Sequence, residues 1–162
     1  ALVYYVATYA LTVLGAFAVV AVVEDETGDS RLTDFAGLSQ RSPVLALCMM
    51  VFLLSLAGIP PLAGFFGKFY VFAAAVGSDP TNLGLLWLVI FAIAMSAVSL
   101  YYYLQVLKQI YIRESTVSIP ASRKIGFTQS AIAVLAASVL VLGCAPDLLL
   151  GQLVAAIKIA GL

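Results

Sequence analysis

From Ala1 to Val23 the chain carries no charged side chain, and residues 42–67, 83–107 and 128–145 are equally free of charge. A helix needs roughly 20 mostly apolar residues to cross the hydrocarbon core of a bilayer. Inside that core each backbone N–H and C=O must find its partner within the protein, which helices do by themselves. Runs of this length therefore commit the chain to an all-α, polytopic membrane protein whose first partner is the lipid bilayer. The eight basic and eight acidic residues cancel and, apart from Lys68, sit in connections, near segment ends or in the tail, with no basic stripe interleaved with aromatics, so nothing recommends a nucleic-acid partner. There is no histidine, and Cys48 and Cys144 lie in apolar surroundings, so neither a metal site nor a disulfide framework is expected. No basic leader with a small-residue cleavage site opens the chain, and Ala1 already lies in an apolar run. The sequence reads as the C-terminal transmembrane part of a longer protein, occupying 1–162.

The spans follow from the punctuation. Residues 1–23 form one, ended by 24-EDETGDSRLTDFAGLSQRSP-43, where acidic residues, glycine and proline accumulate. Within it Tyr5, Thr8, Tyr9 and Thr12 fall on one helical face. Their hydroxyls either bond to neighbouring helices or line a hydrated path. Residues 83–107 and 128–145 form two further spans, and the tail 151–162 is short enough to lie at the interface with Lys158 snorkelling.

The segment 43–76 does not fit one continuous helix. At about 1.5 Å per residue it would reach about 50 Å, against a hydrocarbon core of roughly 30 Å. It must break, and Gly58, Pro60 and Pro61 place the break near 58–62. The two parts make either two crossings or one interrupted crossing, and basic residues arbitrate. With a single crossing, the connection holding Arg31 and Arg41 shares a side with the one holding Lys108, Arg113, Arg123 and Lys124. The connection 77-GSDPTN-82 on the opposite side has no basic residue. The positive-inside rule favours this arrangement, with both basic connections cytoplasmic and about four crossings in all.

Interrupted backbone at membrane depth is tolerated only where protein or a water-filled cavity surrounds it, and such breaks mark ion-handling sites in transporters. Lys68 follows Pro61 by seven residues, about two turns into the second half-helix. An ionisable side chain at that depth is unfavourable by about 2.5–3.5 kcal/mol on insertion scales, which makes it a functional residue by default. The competing structural reading has Lys68 pairing with a carboxylate or with backbone carbonyls at a helix junction, and the sequence offers no carboxylate at similar depth. Desolvation favours a neutral amine over an ammonium, so a lysine placed there suits reversible proton exchange.

The stretch SQRSPVLALCMMVFLLSLAGIPPLAGFFGKFYVF is preceded by YALTVLGAFAVVAV and followed by SAVSLYYYLQVLKQIYI. Together these resemble the antiporter-like membrane subunits of bacterial NADH-quinone oxidoreductase, and among them the subunit N family, the counterpart of subunit 2 of mitochondrial complex I. The SLAGIPPLAGFFGKFY core is specific to the antiporter-like family, and the YYY…K continuation favours subunit N over its sisters. The resemblance runs through essentially the whole chain, and it reaches only the last four helices of that fold. It implies a fold of two inverted repeats, each with a discontinuous helix, and proton translocation coupled at a distance to quinone reduction by NADH. It also implies assembly with other membrane-arm subunits of complex I in the bacterial inner membrane. The family's intramembrane lysine falls on Lys68, as proton carrier, and the middle tyrosine of its YYY falls on Tyr102, as a relay. Relatives often carry a histidine in the connecting relay, which this chain lacks, so a relay here uses waters, hydroxyls and Lys68.

Apart from the resemblance, Ser96, Ser99 and Tyr103 share one face of the span 83–107, with Tyr102 one turn from Ser99. These hydroxyls either hold waters beside Lys68 or serve ordinary helix packing. Lys108 reads as an interfacial anchor first and a point of proton uptake second. The sequence has no glycine-rich phosphate loop, flavin motif or iron–sulfur cysteine cluster, so no cofactor is expected in this chain. By the resemblance, NADH, FMN, iron–sulfur clusters and quinone belong to partner subunits. Two alternatives stay open: a subunit of a multisubunit sodium/proton antiporter or membrane-bound hydrogenase, and a structural membrane scaffold in which Lys68 only fixes packing.

Overall fold

The computed structural model describes residues 1–28, 31–78, 82–114, 126–147 and 151–152. Among them the regular elements are all helices. In chain order they are α1 (Leu2–Thr27), a 3-10 turn (Leu32–Phe35), α2 (Leu38–Arg41), α3 (Pro43–Ala57), α4 (Ala63–Ser78), α5 (Leu83–Tyr111) and α6 (Phe127–Cys144). The protein is all-α and multi-pass. Helices α1, α5 and α6 are long and apolar enough to cross a membrane, with mean hydropathies of 2.3, 2.4 and 1.9 over their most apolar stretches. Helices α3 and α4 have only 15 and 16 residues. At about 1.5 Å per residue each falls short of a hydrocarbon core of roughly 30 Å.

The helices outrun several expected spans. Glu24, Asp25 and Glu26 occupy the last turns of α1, which stops at Gly28 (φ 79°), whose N–H bonds to Glu24 O. Helix α5 continues past 107 to Tyr111, with Lys108 in its last turn. Charges therefore mark where a helix leaves an apolar environment, a turn or more before the backbone stops being helical. Arg123, Lys124 and Lys158 lie outside the described residues.

Helices α1, α3 and α6 enclose the core, built on Val19, Val23, Leu45, Phe52, Ile132 and Val139. Along this core α1 serves as a measuring rod for the two short helices. The Phe52 ring packs against Gly15, where a Cβ would fall 2.2 Å from it. Thr12 Oγ1 lies 3.5 Å from Ser55 Oγ. Gly67 lies against Thr8 and Tyr5, and Tyr70 meets Tyr4 edge-on with ring centroids 5.8 Å apart. As the numbers rise through α3 and α4 they fall through α1, so the two short helices run one after the other, in the same sense, antiparallel to α1.

The ends of the bundle agree with that path. At one end Gly37 donates its N–H to Gln109 O at 3.3 Å, which brings the connection holding Arg41 beside the C-terminal turn of α5 that holds Lys108. Arg41 is fixed there by a hydrogen bond from its guanidinium to Asp34 O. At the other end Tyr4 donates its hydroxyl proton to Leu142 O at 2.9 Å, tying the start of α1 to the finish of α6.

Candidate functional site

The break between α3 and α4 is where the chain has to account for carbonyls that a continuous helix would satisfy. Gly58 ends α3 in the left-handed region (φ 83°), a conformation that glycine adopts without the penalty of a Cβ. Its N–H bonds to Leu54 O and Ser55 O at 3.1 and 3.0 Å, and Ile59 N–H adds a bond to Leu54 O at 3.1 Å. That leaves Leu56 O and Ala57 O. The Lys68 ammonium donates to Leu56 O at 2.8 Å, and Ser96 Oγ donates to Ala57 O at 3.2 Å. Lys68 Nζ also lies 2.6 Å from Ser96 Oγ, which accepts from it. Each of the last four carbonyls of α3 thus has a donor, two of them from side chains on other helices.

The negative end of the α3 dipole faces the lysine, a favourable placement for a cation. The aliphatic stem of Lys68 runs beside Gly58, its Cδ 3.3 Å from where a Cβ would sit. On the α4–α5 side lies a cavity of about 380 Å³ lined by Phe65, Phe69, Ile93 and Leu100, with Lys68 and Ser96 as its polar side chains. On the α1 side Lys68 is flanked by Thr8, Thr12 and Ser55.

Of the residues singled out in the sequence, Lys68, Gly58 and Ser96 come together here. Pro60 and Pro61, joined by a cis peptide bond, form the non-helical connection. Ser99 bonds back to Met95 O in its own helix, and Tyr103 packs against the core. Tyr102 does not join them: it is 63% exposed and pairs edge-on with Tyr101. Lys108 is exposed at the end of α5. On α1, Thr8 and Thr12 are buried and donate to Tyr4 O and Thr8 O. Sequence reasoning passed over Ser55, which is fully buried and touches both α1 and α4. Its only signal was a hydroxyl in an apolar run, one turn ahead of the glycine that ends the helix.

Residues 1–99 match the family described as NADH:quinone oxidoreductase/Mrp antiporter, TM. A protein of Acidobacterium capsulatum named NADH-quinone oxidoreductase subunit N 2 is 55% identical over 93% of this chain and 30% of its own length. NADH-quinone oxidoreductase subunit N of Bdellovibrio bacteriovorus is 42% identical over 87% of this chain and 28% of its own. Among solved structures, a chain of respiratory complex I from Thermus thermophilus with bound aureothin superposes with a TM-score of 0.71. It is 30% identical over 91% of this chain and 34% of that one. The chain therefore spans about 30% of the length of these two curated relatives.

Proposed function

The chain belongs to the NADH:quinone oxidoreductase/Mrp antiporter membrane family, on its subunit N side, and from that premise we propose that it forms the part of a proton-translocating subunit in which Lys68 carries the proton. The observation behind this reading is the Lys68 ammonium held between Leu56 O and Ser96 Oγ at an interrupted helix. An ammonium has three donors. Two are engaged by Leu56 O and Ser96, and the third is left for a water or a neighbouring carrier. Loss of one proton leaves an amine with two donors, so the bonds at the break survive while the charge departs. In apolar surroundings a second charge arriving nearby biases that exchange more strongly than it would in water. Oxidation of NADH and reduction of quinone, with FMN and iron–sulfur clusters, belong on this reading to partner subunits of a complex in the bacterial inner membrane.

The relatives' names favour complex I over a sodium/proton antiporter or hydrogenase, and purification separates them. The full-length protein, tagged and extracted from native membranes, is expected to bring down iron–sulfur subunits and NADH:quinone activity. Recovery of antiporter-type subunits without that activity would replace this reading with the antiporter one.

We further propose that α3 and α4 make one interrupted crossing, with the connections around Arg41 and Arg113 both cytoplasmic. Single cysteines at Gln40 and Glu114, in a background lacking Cys48 and Cys144, are then expected to react with an impermeant maleimide from one side. Cysteines at Asn82 and Asp147 should react from the other. Labelling of positions 40 and 114 from opposite sides rules the arrangement out.

A further inference from the structure

The connection 58-GIPPL-62 contains no side-chain acceptor, so α4 starts without a cap from its own flank. Helix starts commonly take an acceptor from the residue just before the first turn, bonded to the second or third amide. Here the acceptor comes from the helix on the far side of the break. Ser55 Oγ accepts the N–H of Gly64, the second residue of α4, at 3.1 Å. Thr12 spends its only hydroxyl proton on Thr8 O at 2.7 Å, so across the 3.5 Å separation Ser55 is the donor and Thr12 the acceptor. Ser55 is thereby oriented by α1 while it holds α4.

Gly64 permits this approach, since a Cβ there would lie 1.9 Å from Ser55 O and 2.9 Å from Ser55 Oγ. Lys68 is four residues after Gly64 and therefore stands on the same face of α4, one turn on. Its ammonium reaches Leu56 O, the residue after Ser55. The pairs Ser55–Gly64 and Leu56–Lys68 are adjacent on both helices, so the first fixes the axial and rotational setting from which the second is made. Resting on the reading of Lys68 as the proton carrier, we infer that Ser55 is its positioning residue: the hydroxyl caps α4 across the break and holds the ammonium in register with Leu56 O and Ser96.

The test uses the full-length protein in the assembled complex, with protons pumped per electron as the readout. Losing a cap of this kind shifts the population away from the held geometry by about fivefold. Ser55→Ala is expected to lower the pumping ratio towards that limit while NADH oxidation continues. Ser55→Thr, which keeps the acceptor, is expected to restore it. In a Lys68→Met background Ser55→Ala should change the ratio no further. If Ser55→Ala does not assemble, Ser55→Cys, of similar size and weaker as an acceptor, takes its place with the same expected loss. An unchanged ratio in the assembled alanine or cysteine variant overturns the inference, as does a loss that threonine leaves unrepaired. A normal ratio in Lys68→Met alone is a separate result and removes the proton-carrying role itself.

Discussion

Replacing Lys68 by methionine in the assembled complex is expected to slow the proton-transfer step by about 10²-fold or more, the usual consequence of removing a group that takes and gives a proton. Pumping per electron and coupled quinone reduction both fall, while the complex still assembles. The geometry adds a complication, because Lys68 also donates to Leu56 O. Methionine leaves that carbonyl without a donor, at a cost of about 1–3 kcal/mol. Lys68→Gln separates the two roles, since an amide can donate to the carbonyl but does not exchange a proton at physiological pH. Lys68→Arg keeps the charge yet stays protonated, so it too should pump poorly. Proton release measured alongside NADH oxidation in reconstituted complex decides the matter. A glutamine variant that pumps normally would make Lys68 a capping residue and favour the scaffold reading.

The second large effect is expected at Gly64. Alanine there puts a Cβ 1.9 Å from Ser55 O and 2.7 Å from Ser55 C, both backbone atoms. Neither can rotate away, so the start of α4 has to leave the end of α3. Overpacking of a filled interior costs about 1–3 kcal/mol and sometimes more, and here the displacement also breaks the bonds from Gly64 N–H and Lys68. Gly64→Ala should therefore sharply reduce the amount of assembled complex. Gly77 is the natural control, being in the same helix with nothing within 4 Å of a Cβ built on it. Alanine there is expected to be neutral or slightly stabilising, as glycine is a poor helix former by about 0.5–1 kcal/mol. Equal yields of the two variants on native gels would show that the contact at Gly64 is not tight.

What the sequence made legible was whatever acts along the chain. The place of the break could be read from Gly58, Pro60 and Pro61, and the lysine stood out because a charge in an apolar run has few reasons to be there. Contacts between separate helices stayed hidden. Ser55 looked like one weakly polar residue among leucines, and only the meeting of α3, α1 and α4 gives it two partners. The tyrosines show the same limit: spacing groups Tyr102 with Ser99 as readily as it groups Tyr103 with Ser96. Only the bundle turns Tyr103 against the core and Tyr102 outward. The overrun of α1 past Glu24 has a similar origin, because hydropathy follows the solvent and the hydrogen-bond ladder does not.

The measuring-rod role of α1 bears on how such a chain can vary. Gly15, Thr12, Thr8 and Tyr4 meet Phe52, Ser55, Gly67 and Tyr70 in sequence. One residue inserted anywhere between Tyr4 and Gly15 would turn everything beyond it by about 100° and slide it by about 1.5 Å. At most one of the two half-helices could then keep its seat. The stretch is intolerant of insertion and deletion even where single replacements pass, whereas the 3-10 turn and its flanks sit outside this register. Changes of length are thus expected to be tolerated in the connections at the bundle's ends, where they leave the spacing between Ser55, Gly64 and Lys68 at the break intact.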